Sequence, residues 1–261
     1  MPIIIKQIIR NILPRPLFKV VYAIRLRLVS TKIPKASIYI AHVAGKHGIE
    51  IGGPSRLFNS RLPLYGKIQD LDGVNFSQQT IWEGAIREGK TYRWRGDKKG
   101  WQFIADGTSL PEIASESYEF VLSSNCLEHI ANPLKALEEW KRILKRNGAL
   151  VIVLPNKESN FDHHRSVTPF EHLLEDYNKK TTERDLTHLD EILKLHDLQL
   201  DLPAGDIENF KRRSLDNFKN RTLHHHVFDL DVMSAMIEQL GLRCVQKTAT
   251  KSDFFLLAVK D

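Results

Sequence analysis

The stretch YEFVLSSNCLEHIANPLKALEEWKRILKRNGALVIVLPN, residues 118–156, limits the fold more than any other part of the chain. It opens on a short apolar run, 118–123, and closes on another, 149–154. Between them Leu134, Leu137, Trp140, Ile143 and Leu144 recur at helical spacing. Gly148 is expected to stop that helix. Strand, helix, strand in this order makes a right-handed crossover between parallel strands.

The rest of the chain repeats the alternation. Strands are expected at 48–51, 67–71 and 102–105. After residue 226 the helical run LDVMSAMIEQLG leads into a last strand pair, LRCVQKTATKS and FFLLAVK. Residues 156–223 are polar, rich in His, Asp and Lys, and mostly helical in pattern, so they read as an inserted or capping segment. No internal repeat or low-complexity tract interrupts the chain. With 261 residues, 42% of them hydrophobic, there is enough material for one large domain with appendages. Cys126 and Cys244 have no ligand-like spacing and are expected as buried free thiols in a reducing compartment.

Charge separates the N-terminus from the body. Residues 1–49 hold nine Lys/Arg and no acid, so the net +6 belongs to this arm and the remainder is acidic. A body of that sign argues against a protein built to bind nucleic acid, and no nucleic-acid partner is expected. Apolar positions 4, 5, 8, 9 and 12 have helical spacing, Pro14 and Pro16 break it, and a second apolar and basic run spans 17–29. Two readings stand: helices packed on the domain, or a basic amphipathic segment lying on an anionic membrane surface. No stretch of eighteen apolar residues and no signal-peptide pattern occurs, so the expected location is cytoplasmic, with peripheral attachment at the inner membrane face under the second reading. The expected division is an arm over 1–45 and a domain over 46–261, with the capping insertion at about 156–223.

Four stretches in order resemble the class I S-adenosylmethionine-dependent methyltransferases, closest to the methyltransferase type 11 group. They are IEIGGPS from residue 49, QDLDG from 69, ADGTSLP from 105, and the 118–156 stretch. The resemblance covers about 46–155 and resumes from about 226. It implies an α/β, Rossmann-like, seven-stranded and mostly parallel sheet with helices on both faces. It implies S-adenosylmethionine as cofactor, with Glu50 under its methionine part and Gly52 and Gly53 allowing close backbone approach. It places Asp72 on the ribose hydroxyls, Asp70 being the alternative, and Asp106 and Gly107 at the adenine, with Asn125 also facing the cofactor. Pro54 and Arg56 depart from the usual glycines.

Methyl transfer to a hydroxyl needs a base to take its proton, and histidine suits that work near neutral pH. Eight of the eleven His lie between 163 and 226. The favoured bases are His163 or His164 in FDHHR, then His225 or His226 in HHHVFD, with His129 orienting the loop after the fourth strand. A divalent metal on Asp162, His163, His188 and Asp190 is a weaker alternative, because adjacent His runs are not a ligand spacing. No Asn-Pro-Pro-Tyr motif follows the fourth strand. The middle segment is similar to bacterial methyltransferases of surface-glycan pathways, which implies O-methylation of a sugar hydroxyl in a glycan or of a small polar metabolite. Trp82, Trp94 and Trp101 could stack on a sugar or pack on the sheet. A catalytically inactive scaffold at the membrane surface is the alternative function. Oligomeric state is left open.

Overall fold

Alternate residues of the central strands are apolar toward both faces, so the sheet must be covered on both. Leu150, Ile152 and Leu154 enter one core cluster, Ala149, Val151 and Val153 the other. The computed structural model describes residues 33–261. Its strands are β1 (His47–Ile51), β2 (Asp70–Asn75), β3 (Gln79–Thr80), β4 (Gly84–Ala85), β5 (Gly89–Arg95), β6 (Lys98–Ile104), β7 (Tyr118–Ser124), β8 (Leu144–Pro155), β9 (Arg243–Ala249) and β10 (Asp253–Val259). Eight of them form one sheet in the order β5-β6-β2-β1-β7-β8-β10-β9, and β3 with β4 makes a separate ribbon. Strands β6, β2, β1, β7 and β8 are parallel, while β5 and β10 run against their neighbours. The expected α/β fold is present, with eight strands in the sheet where seven were expected.

The extra strand is β5. Its burial alternates, with Tyr92 and Trp94 inward and Thr91, Arg93 and Arg95 outward, and Gly96 and Asp97 turn the chain back into β6. Strand β2 also lies three residues later than expected, because Asp70 pairs with His47 at the start of β1.

The helices are α1 (Ala36–Val43), α2 (Arg56–Asn59), α3 (Pro133–Ile143), α4 (Phe170–Lys179), α5 (Leu189–Leu195), α6 (Ile207–Leu215), α7 (Asn217–Asn220) and α8 (Leu230–Gln239). Helix α3 starts where Asn132 caps Lys135 N–H at 3.1 Å and Pro133 occupies the first turn. It buries Leu134, Leu137, Trp140 and Ile143 against β7 and β8, each worth roughly 1.5–3 kcal/mol of apolar burial. It ends at Ile143, earlier than Gly148, and the chain passes directly into β8.

Helix α1 covers the opposite face. Tyr39 O–H donates to Thr248 at 3.2 Å, and Tyr39 and Val43 are fully buried. Residues 33–43 thus join the core of the domain. The basic runs on which the membrane reading rests lie in residues 1–32, outside the described residues. Among the described residues no helix is long and apolar enough to cross a membrane.

The chain steps outward from β1 through β2 to β6, then returns to place β7 on the other side of β1. Loops leaving the carboxyl ends of β1 and β7 therefore diverge and open a crevice. Residues 156–229 lie over this crevice.

Candidate active site

At the end of β1, Gly52 turns the chain with φ 80°, a left-handed conformation that suits glycine. A Cβ on Gly52 would also sit 2.6 Å from Cys126 Sγ. Glu50 holds the turn from beneath. Its buried carboxylate accepts from Tyr65 O–H, from Tyr92 O–H at 2.7 Å and from Ser55 N–H at 3.0 Å. Burial pushes this carboxyl up to about 7, against the opposing pull of those hydrogen bonds. A Cβ on Gly53 would strike the same carboxylate, so the second glycine makes room for Glu50.

The crevice is a cavity of about 760 Å³. Gly52, Asn75, Asp106, Gly107 and Asn125 line it, from the exits of β1, β2, β6 and β7. Asp106 Oδ1 accepts from Thr108 N–H at 2.9 Å, and Oδ2 accepts from Arg221 at 3.0 Å. Burial would raise the Asp106 carboxyl, but Thr108 and Arg221 outweigh it and hold it low. Asn125 takes a positive φ of 49°, with its N–H on Val153 O at 2.9 Å.

Several expected residues stand elsewhere. Asp72 pairs with Ile49, well before the carboxyl end of β2, and its carboxylate is taken by Tyr118 O–H at 2.8 Å, Trp101 N–H at 2.6 Å and His47 at 3.2 Å. The later register of β2 carries it away from the cavity. Asn75 occupies the strand end instead and donates to Gly53 O at 3.0 Å. Asp70 starts the strand and is exposed. Neither Glu50 nor Gly53 lines the cavity.

The histidines divide in the same way. His163 faces Asp197 at 3.0 Å, His164 stacks beside it at 3.8 Å and is exposed, and neither ring lines the cavity. His225 is buried against Asn217, whose Nδ2 donates to its Nε2 at 3.0 Å, and burial pushes its ring down to about 3. Its N–H instead donates to Glu128 O at 2.9 Å. The side chains that do face the cavity are Glu128, His129 and His224, with one donor atom of each within 4.8 Å of the other two.

FDHHR and HHHVFD do meet, through groups other than those expected. Arg165 is 2% exposed and donates to His224 O at 2.8 Å and His225 O at 3.2 Å, while pairing with Asp162 at 3.0 Å. Asp162 Oδ2 meets His224 Nδ1 at 2.5 Å. Burial alone would lower the His224 ring, but Asp162 and Glu128 outweigh it and raise its pKa. Burial would likewise raise Asp162, yet His224 and Arg165 hold it at about 2. His129 Nδ1–H donates to Leu223 O at 3.1 Å, and burial drives its ring well below the usual range. Glu128 Oε2 is buried with no partner among the described residues, and burial pushes its carboxyl up to about 7. Glu128 and His129 sat in a helix-leading loop that periodicity treats as structural. The signal for them was their place, just past the end of β7.

Of the three tryptophans only Trp82 lines the cavity; it is 52% exposed, with its ring 5.2 Å from His129. Trp94 is core, and Trp101 is exposed beside Phe103. Asp162, His163, His188 and Asp190 do not converge on one point among the described residues.

Residues 57–152 match the family described as "Methyltransferase domain". That stretch is less than half of the chain. The fold around it is that of an S-adenosylmethionine-dependent methyltransferase from Mesorhizobium loti, with TM-score 0.50 and 12% identity over 87% of this chain and 96% of that one. Among curated proteins, the uncharacterized protein MJ1123 of Methanocaldococcus jannaschii is 33% identical over 118 residues, 45% of this chain and 49% of that protein. MJ0638 of the same organism is 51% identical over 43 residues, 16% of this chain and 19% of that protein. The chain thus spans about half the length of the first relative and about a fifth of the second. The matched region runs from α2 into β8 and includes Asp106, Glu128 and His129.

Proposed function

We propose that the protein transfers a methyl group from S-adenosylmethionine to a hydroxyl of a polar acceptor, either a sugar unit of a glycan or a small metabolite of similar chemistry. The observation that carries this reading is that one cavity holds both the glycine turn with Asp106 and the group Glu128, His129 and His224. The residues fit the cofactor: Gly52 leaves the backbone open to close approach, and Asp106 offers a carboxylate in a buried wall. Asn75 stands where the ribose-binding acid was sought and offers an amide in its place. When bound, S-adenosylmethionine supplies an electrophilic methyl on a sulfonium.

Glu128 is the base in this proposal. Its carboxyl is poised near neutrality and has an oxygen without a partner, the two properties that proton abstraction asks of it. It takes the acceptor hydroxyl proton as the new C–O bond forms and the methyl–sulfur bond breaks. His224, kept protonated by Asp162, donates a hydrogen bond to the acceptor, and Trp82 offers a ring face to a sugar.

Two measurements test the reading. Calorimetric titration with S-adenosylhomocysteine should give micromolar binding in the wild type. Turnover on a panel of glycans and polyols should fall about 10²–10⁴-fold in Glu128→Gln, with S-adenosylhomocysteine affinity nearly unchanged. Binding without turnover on any hydroxylated acceptor would favour the inactive binding module, and no binding at all would remove the cofactor assignment.

A further inference from the structure

We propose that His172, His188 and His226 bind a first-row divalent cation, zinc foremost, which staples the capping segment at a point outside the cavity. The three residues come from separate elements. His172 lies on α4, His188 immediately precedes α5, and His226 lies in the extended stretch before α8. No backbone ladder joins these elements, yet one ring nitrogen from each lies within 4.8 Å of the other two.

The spacing suits a metal. A tetrahedral zinc with nitrogens at about 2.0–2.1 Å sets them roughly 3.4 Å apart. His172 Nε2 and His188 Nε2 are 2.9 Å apart, and the ring centroids are 4.8 Å apart for that pair and 5.7 Å for each pair with His226. Without a cation, two imidazole nitrogens at that distance need a proton between them; with one, both lone pairs have an acceptor.

Two further groups complete the set. Asp176, one turn after His172 on α4, places Oδ2 3.2 Å from His172 Nε2 and 2.9 Å from His226 Nε2. It either supplies an oxygen ligand or fixes His226 through the ring nitrogen facing away from the metal, as carboxylates behind ligating histidines do. The other nitrogen of His226, Nδ1, is buried with no partner among the described residues. A buried ring nitrogen without a partner calls for an ion or a water. Three imidazoles with a carboxylate are donors for zinc and its neighbours, not for calcium or magnesium.

The fold gives such a staple something to do. The capping segment has a core cluster of only four fully buried apolar residues, Ile192, Ala204, Phe210 and Leu223. Small cores are where a cross-linking ion contributes most. None of the three rings lines the cavity.

The test is metal content and unfolding of the full-length protein from zinc-supplemented growth. The expected result is about one zinc per chain after gel filtration, and a melting temperature that falls by several degrees with chelator and recovers with zinc. His188→Gln and His172→Gln should lose the metal, while His224→Asn, at the cavity, keeps it. If those glutamine variants fail to fold, cobalt(II) added to the metal-free wild type decides. Intense visible bands of a tetrahedral nitrogen site are expected, with unchanged intensity in His224→Asn. A protein that takes up no zinc or cobalt overturns the proposal, as does metal that persists in His188→Gln and disappears in His224→Asn.

Discussion

The two walls of the cavity are built in opposite ways. The strand-end wall is backbone geometry laid over an apolar core, with the buried acid Glu50 tied by two tyrosines. The capping wall is a web of paired charges: Arg165 with Asp162, Asp162 with His224, and Arg221 with both Asp106 and Glu183. The first wall depends on burial and tolerates modest change. The second depends on every member being present, because removing one partner leaves a charge buried alone.

The sharpest way to break that contrast is Arg165→Ala. It strands Asp162 and frees the carbonyls of His224 and His225, for an expected loss of about 3–5 kcal/mol. Hydrogen exchange should show the loss within 156–229, while amides of β1 and β7 stay protected. Equal loss in β7 would mean that the two walls unfold as one unit. Asp106→Asn probes the charged link between them. It removes a charge partner of Arg221 and, on the proposed function, a cofactor contact, so S-adenosylhomocysteine should bind about tenfold more weakly by calorimetry. Unchanged affinity would place the cofactor away from Asp106.

A further expected effect is a pH dependence. Burial pushes the Glu128 carboxyl up to about 7 in the folded chain, against an ordinary 4.5. Between those values the native state keeps a proton that the unfolded state has released, so this group's contribution to stability declines as pH rises through that window. Glu128→Gln cannot ionise. Thermal melts should show it gaining on the order of 2 kcal/mol over wild type at pH 8, and nothing at pH 4. A gain that is equal at both pH values would put the effect in packing instead of charge.

The strand-end wall was legible in the sequence because burial leaves a period. Leu134, Leu137 and Trp140 announced α3, and the glycine pair announced the turn after β1. Register was less legible. QDLDG and the true strand, Asp70–Asn75, overlap, and only pairing with β1 decides that Asp72 points to the wrong end. The capping wall was hardest to read. Charge pairs such as Asp162 with His224 and Arg221 with Asp106 join residues 62 and 115 positions apart, and no local spacing encodes them. The HHH run drew notice, yet which of its members faces the cavity depends on Arg165 clamping the carbonyls of two of them.

Strand β5, which periodicity overlooked, also settles how the sheet ends. Among the described residues it has no neighbour beyond it, so one row of its backbone donors and acceptors faces outward. Its outward side chains include Lys90, Arg93 and Arg95, and Lys98 follows at the turn with its ammonium 5.1 Å from the Trp94 ring. A second such strand laid alongside would bring cation against cation before any ladder could form. Like charges on an edge strand discourage sheets from extending into one another, so the basic hairpin works as a terminator that keeps the sheet from growing.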